Sequence, residues 1–284
     1  MSKYSPREYW TKLARDFARS DRKGFAPVLH PSAPYWFNEA IDRLQARAWN
    51  RALTCCEFRN NAQVLDVGCG TGRWLRRLGQ RNISAVGIDQ SVGMLRLARE
   101  RATHSPLLAG DVQHLPFRDE SFDCVIGITV VQHIPPEQQE RALREMIRVL
   151  RGGGYLILFE LIQGQGPHVF SRKPTNWISQ VSSLGPELVL WFGQEFLLFD
   201  RPLVSLLQGL RSLAGHRASE ILPDASADSK NTSQLNLLTK RIYWAFRKIL
   251  VVTSVWIEPL AARICPQALA THGVFVFRKE KGLG

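Results

Sequence analysis

The chain has 284 residues, 45% of them hydrophobic, which is enough for one large domain or a domain with a cap. Its 37 Lys and Arg against 25 Asp and Glu leave a net charge of +12, which points either to an acidic partner or to a solvated basic surface. No run of about 18 apolar residues argues for a spanning helix, and the charged Met1–Lys23 stretch does not read as a signal peptide, so a cytoplasmic protein is expected.

In chain order, Arg7–Arg19 carries Tyr9, Trp10, Leu13 and Phe17 at helical spacing. Three prolines between Phe25 and Phe37 predict an extended stretch, and an amphipathic helix resumes over Trp36–Leu53. From residue 62 to 160 short apolar runs alternate with helical patterns. Val64–Val67, Ser84–Ile88, Leu107–Ala109, Asp123–Ile128 and Tyr155–Glu160 read as buried strands; Arg73–Gln80, Val92–Arg101 and Glu137–Leu150 read as the helices between them. That alternation predicts a parallel sheet covered on both faces. Gly152–Gly154 is expected to end the last of these helices and turn the chain into strand five. Beyond it come a helix over Asn176–Leu184, a sixth strand over Glu187–Phe192 and a helix over Pro202–Leu213. An exposed loop over Arg217–Ser233, a helical pattern over Leu235–Ile264 broken at Pro259, and a seventh strand over Gly273–Phe277 complete the series.

The most informative stretch is Val64-Leu-Asp-Val-Gly-Cys-Gly-Thr-Gly72, a strand running into a glycine bend that opens a helix. Gly68 and Gly70 let bare backbone approach a ligand, and the helix start offers free N–H groups to an anionic end. The spacing is not the dinucleotide fingerprint, because Arg73 stands where a third glycine would be. Asp89 ends the second strand 23 residues after Asp66, where a carboxylate can accept both hydroxyls of a ribose. Asp111 follows the third strand and can accept from an adenine amino group. Three acids past three strand ends converge on the crevice where open α/β sheets bind ligands.

This succession resembles the class I S-adenosylmethionine (SAM)-dependent methyltransferases, particularly their small-molecule branch, closely over residues 60–160 and loosely beyond. The resemblance implies a Rossmann-like seven-stranded sheet, mostly parallel with the last strand antiparallel. A helical cap (residues 1–60) would precede a SAM-binding domain (residues 61–284) that carries a helical insertion at about 197–270 between strands six and seven. It implies that Asp66, Gly68, Cys69 and Gly70 surround the methionine end of SAM and that Asp89 holds the ribose. Asp111 and Val112 would bind the adenine, with Gln90 and Met94 beside the nucleoside and Thr129 opening the segment after strand four.

That segment, Thr129-Val-Val-Gln-His-Ile134, is where a group acting on the acceptor is expected. His133 can take a proton from a hydroxyl or amine, or can pack beneath the cofactor. Glu160 either faces the pocket or satisfies backbone N–H groups. His30, Tyr35, Trp36 and His168 are the candidate acceptor contacts, Tyr35 to Phe37 forming an aromatic wall. The five cysteines form no Cys-x-x-Cys pair and no acid cluster suits a metal, so a metal site is not expected. The segment after strand four lacks the Asp/Asn-Pro-Pro-Tyr/Phe signature and no Pro-Cys nucleophile is present, which argues against a nucleic-acid substrate. The expected activity is methyl transfer to a small, hydrophobic, perhaps anionic acceptor, with O-methylation favoured. Its competitors are a non-methylating reaction such as cyclisation, an RNA or protein substrate, and a binding protein without turnover. In the insertion Leu235, Leu238, Ile242, Phe246, Ile249, Thr253, Trp256 and Leu260 share a helical stripe, expected to be buried as core or lid in preference to a dimer arm or a membrane-surface face. A monomer or homodimer fits equally.

Overall fold

The structure, a computed structural model, describes residues 4–17, 29–30, 33–58, 61–101, 104–164, 168–196 and 234–281, the side chains of residues 234–242 and 268 excepted. The expected helix over Pro202–Leu213 and loop over Arg217–Ser233 lie outside the described residues, as do the side chains of Leu235, Leu238 and Ile242.

The elements run α1 (Pro6–Phe17), α2 (Tyr35–Leu53), β1 (Gln63–Val67), α3 (Arg73–Gly79), β2 (Ser84–Asp89), α4 (Val92–Glu100), β3 (Leu107–Ala109), β4 (Phe122–Ile128), α5 (Pro136–Val149), β5 (Leu150–Leu161), α6 (Pro174–Ser182), β6 (Glu187–Gln194), α7 (Gln234–Ile264) and β7 (His272–Arg278). One seven-stranded sheet has the order β3-β2-β1-β4-β5-β7-β6. Strands β1 to β5 pair in parallel, with Leu65 level with Val86 on one side and Val125 on the other. Strand β7 enters between β5 and β6 antiparallel to both. The central strands are buried on both faces, which is why they read as unbroken apolar runs. On one face Leu65, Val125 and Leu156 pack under Leu143 and Met146 of α5 and Trp177 of α6. On the other, Val64, Cys124 and Ile126 pack under Trp49 of α2 and Trp74 and Leu78 of α3. Helix α5 starts with Pro136 at its first position and Glu137 in its first turn, both suited to a helix N-terminus.

Two expectations need correction. Strand β5 begins at Leu150, which pairs with Phe122, and runs through Gly152–Gly154 with a shift in register, so these residues do not separate helix from strand. A Cβ on Gly154 would lie 2.8 Å from the Asp123 carbonyl, so the glycines allow an irregular strand to hug its neighbour. Helix α7 is also continuous through Pro259. Proline there removes the N–H that the Val255 carbonyl needs, and Arg47 of α2 supplies the missing donor, its Nη1 lying 2.7 Å from that oxygen. A long-range partner of this kind has no local trace in sequence.

The helices before β1 sit apart. Leu13 and Ala14 of α1 pack on Met94 and Leu97 of α4, while Phe37, Ile41 and Leu44 of α2 pack on Val251 and Val255 of α7.

Candidate active site

At the C-terminal ends of β1, β2 and β4 a cleft encloses about 950 Å³, its open mouth included. Its floor is the bend after β1. Gly68 and Gly70 take φ of +62° and +52°, the left-handed region that favours glycine. At Gly68 the need is double, because an added Cβ would stand 2.6 Å from a Val130 methyl. Asp89 ties the bend to β2. One carboxylate oxygen accepts the Gly70 N–H at 2.9 Å and the other accepts the Ser91 N–H at 2.8 Å. Burial pushes Asp89 up to about 6, against the pull of those two donors. Ser91 caps α4 by accepting the Met94 N–H at 3.3 Å, and its hydroxyl lies 3.2 Å from that of Thr11, which fastens α1 over the same corner.

Asp66 is fully buried behind the bend, off the cleft wall, and its Oδ2 has no hydrogen-bond partner. Burial holds it well above the usual carboxylate range; Arg73 opposes this and Asp89 adds to it. Asp111 is exposed at the far end of the cleft and caps the turn that follows by accepting the Gln113 N–H at 2.9 Å. Cys69, Gln90, Met94, Val112 and Thr129 also line the cleft. Thr129 has φ of +58°, a costly conformation for a β-branched residue. It is held there by its N–H donating to the Phe159 carbonyl at 2.7 Å.

His133 lines the cleft, on the turn after β4. Its Nδ1 lies 2.9 Å from the His168 carbonyl, which only accepts, so Nδ1 carries the proton. Nε2 is then the lone-pair atom, and the Gln132 amide nitrogen donates to it at 3.3 Å. That amide is oriented by its own oxygen, which accepts the Leu161 N–H at 2.6 Å. Burial brings His133 down to about 4, so the ring is neutral at physiological pH. Glu160 takes the second of its two readings. Its carboxylate accepts the N–H groups of Val131 at 3.0 Å, Gln132 at 2.9 Å and Val130 at 3.4 Å, and thereby shapes the turn that presents His133.

The candidate acceptor contacts separate. His168 lies against His133, the two rings stacked 5.4 Å apart, with Tyr9 on its other side at 4.2 Å. His30, Tyr35 and Trp36 are not on the cleft. Trp36 packs on Trp244 of α7, and His30 on Phe37. The aromatic wall expected from Tyr35 to Phe37 is instead supplied by α1, whose Pro6 and Trp10 close the cleft, Trp10 standing edge-on to His133 at 5.0 Å. The helical spacing of α1 identified Trp10 as apolar, but nothing local told which surface it would cover. Arg73 was read only as a break in a glycine pattern, yet it is buried on the cleft wall. Its Nη1 meets Asp42 at 2.8 Å and its Nη2 meets Gln45 at 2.7 Å.

Residues 65–158 match the family described as methyltransferase domain. The probable tRNA methyltransferase 9B of Homo sapiens is 34% identical over 163 residues, 57% of this chain and 34% of that protein. The demethylmenaquinone methyltransferase of Streptomyces griseus is 36% identical over 127 residues, 44% of this chain and 54% of that protein. The chain thus spans between a third and about half of these relatives. Its fold is also that of the 4+2 cyclase SpnF, with TM-score 0.53, 20% identity, and coverage of 86% of this chain and 83% of that one. A possible histamine N-methyltransferase from Thermotoga maritima superposes with TM-score 0.52 at 15% identity over 96% and 99% of the two chains. Residues 65–158 thus carry a methyltransferase domain, set in a seven-stranded sheet whose fold is shared with SAM-dependent methyltransferases.

Proposed function

We propose that the chain transfers the methyl group of SAM to a small, largely apolar acceptor admitted between α1 and the turn after β4. The observation that supports this best is the pair of buried acids, Asp66 and Asp89, beside a bare-backbone bend. Neither acid is paired with a cation in the described side-chain hydrogen bonds, and Asp66 Oδ2 has no partner. Desolvated carboxylates of this kind suit a ligand bearing an ammonium, a sulfonium and ribose hydroxyls.

When bound, SAM supplies an electrophilic methyl group on sulfur that is displaced in line, so alignment and a dry cleft carry much of the rate. Asp89 accepts from the ribose hydroxyls through lone pairs not used by Gly70 and Ser91. The Gly68–Gly70 backbone receives the methionine end, with the charge of Asp66 behind it. Asp111 and Val112 would hold the adenine, with Gln90, Met94 and Thr129 beside the nucleoside; all five line the cleft. Pro6 and Trp10 exclude water. His133 Nε2 would accept the O–H or N–H of the acceptor in place of the Gln132 amide, and Glu160 is the positioning residue that holds its turn. O-methylation suits this arrangement first, because a hydroxyl must lose its proton.

The test is turnover with a panel of hydroxylated apolar acceptors, reading methylated product by mass. His133→Ala should lower kcat by about 100-fold or more while leaving SAM affinity within about twofold of wild type. A product of unchanged mass would replace methylation by cyclisation. A second reading, methylation of an RNA nucleoside, is favoured by the +12 charge together with the relatives named for tRNA. Tight binding of tRNA that falls steeply with salt would select it.

A further inference from the structure

The helical stripe read from sequence in α7 faces the opposite way from expectation. The side chains of α7 that are buried are Val251, Ser254, Val255, Glu258 and Ala261, which turn toward α2 and β6. The described side chains of the stripe, Phe246, Ile249, Thr253, Trp256 and Leu260, face out, and Val252 and Ile264 join them. Phe246, Ile249, Val252, Trp256, Leu260 and Ile264 are between 40% (Val252) and 78% (Trp256) exposed, in a row spanning about 27 Å of helix. Single exposed apolar side chains need no explanation, but six large ones along one face do.

The charges of α7 indicate what covers that face. Its sequence contains five basic residues, Lys240, Arg241, Arg247, Lys248 and Arg263, and one acid. The acid, Glu258, is turned inward, where it accepts the N–H groups of Glu195 at 2.8 Å and Phe196 at 3.2 Å. The outward face therefore presents no carboxylate, and Lys248 and Arg263 are exposed beside the apolar row. A second copy suits it poorly. In an antiparallel pair centred on the row, Lys248 of each copy would face Arg263 of the other. No helix among the described residues is long and apolar enough to cross a membrane. An apolar row with an aromatic centre, basic flanks and no exposed acid is instead the pattern of a helix lying in a bilayer interface.

We propose that α7 docks this chain onto an anionic lipid surface, Trp256 and its neighbours entering the interface while Lys248 and Arg263 meet lipid phosphates. This surface is independent of the methyl-transfer reading, since none of its residues lines the cleft.

Cosedimentation of the full chain with phosphatidylcholine vesicles, with and without phosphatidylglycerol, tests it. Binding should require the anionic lipid, weaken with salt, and place Trp256 within reach of quenching by brominated acyl chains. Lys248→Glu and Arg263→Glu should each weaken binding about fivefold or more, and Trp256→Glu should abolish it. S-adenosylhomocysteine affinity of every variant serves as the folding control and should equal wild type. Equal binding to neutral vesicles, or no binding together with a dimer by analytical ultracentrifugation that Trp256→Glu dissolves, would overturn the proposal. So would no binding in a monomer whose Trp256 is already shielded from aqueous quenchers, because the chain itself would then cover the face.

Discussion

Two clusters of buried charge lie side by side around Arg73, and they are satisfied in different ways. Asp89 on the cleft wall and Asp66 behind the bend are desolvated without a paired cation, and both are pushed above the ordinary carboxylate range. Beneath α2, Glu195 is as deeply buried, but it accepts from Gln45 at 3.0 Å and lies 2.9 Å from His272 Nδ1. Burial, the largest single influence, presses Glu195 upward, yet His272, His30 and the Gln45 hydrogen bond together hold the acid below its usual value. Asp42 in the same cluster is gripped by both Arg73 and Arg77. Buried acids thus differ in their partners: Asp42 and Glu195 meet charged or polar side chains, Asp89 meets backbone N–H groups alone, and Asp66 Oδ2 meets none. The cluster of Asp42 and Glu195 staples α2 to α3, β6 and β7; the other holds the bend through Asp89 and leaves Asp66 Oδ2 without a partner.

The comparison can be broken most forcefully at Glu195. Glu195→Ala leaves Gln45 and His272 without their acceptor and should cost roughly 3–5 kcal/mol of stability, read by chemical denaturation, with cofactor affinity in the surviving folded protein unchanged. A loss of affinity without a loss of stability would merge the two clusters into one site. Gly68→Ala should act on the cleft instead. Left-handed strain of about 1–2 kcal/mol, added to the overlap with Val130, should weaken S-adenosylhomocysteine binding about tenfold or more. Val130→Ala in the same chain should restore the overlap part only.

Glu160 sharpens the contrast, because it is a third buried acid whose partners are all backbone donors. Glu160→Gln replaces one accepting oxygen by an amide nitrogen and should cost about 1–2 kcal/mol, with a lower kcat from a looser His133 turn. Burial, the dominant influence, raises Glu160 to about 8 in spite of its three donors. A raised folded-state value means that its contribution is complete below the unfolded pKa of about 4.3 and is lost as pH climbs through about 8. Denaturation across that window should show a falling slope in wild type that the Gln variant lacks. The smallest effect concerns pH and binding. With Asp89 at about 6, cofactor affinity should be flat above that pH and fall about tenfold per unit below it. His133, already neutral above about 4, should add no limb near 6.5 to a kcat profile.

How much of this was legible in sequence follows from the range of the interactions. Strands β1, β2 and β4 and the bend were readable because a strand buried on both faces is mostly apolar and a left-handed corner favours glycine. Asp89 and Asp111 were readable from strand ends alone. The course of β5 through Gly152–Gly154, the survival of α7 at Pro259 and the seat of Trp10 were not. Each depends on a partner far along the chain: Phe122 for the first, Arg47 for the second, and the cleft wall around His133 for the third. The α7 stripe misled for a related reason. Periodicity shows that a helix has an apolar row, but the buried side here is a different row of small residues, and only packing against α2 distinguishes them.

The central claim is that Asp66, Asp89 and the bend form a cradle for a nucleoside sulfonium. Isothermal titration of S-adenosylhomocysteine into wild type and Asp89→Ala tests it most directly. The account predicts one site per chain in wild type and a weakening of about 30- to 150-fold in the folded variant, the worth of a charged hydrogen-bond acceptor, alongside a loss of thermal stability because Gly70 and Ser91 lose their acceptor. No heat with wild type, or equal affinity in the two proteins, would contradict it.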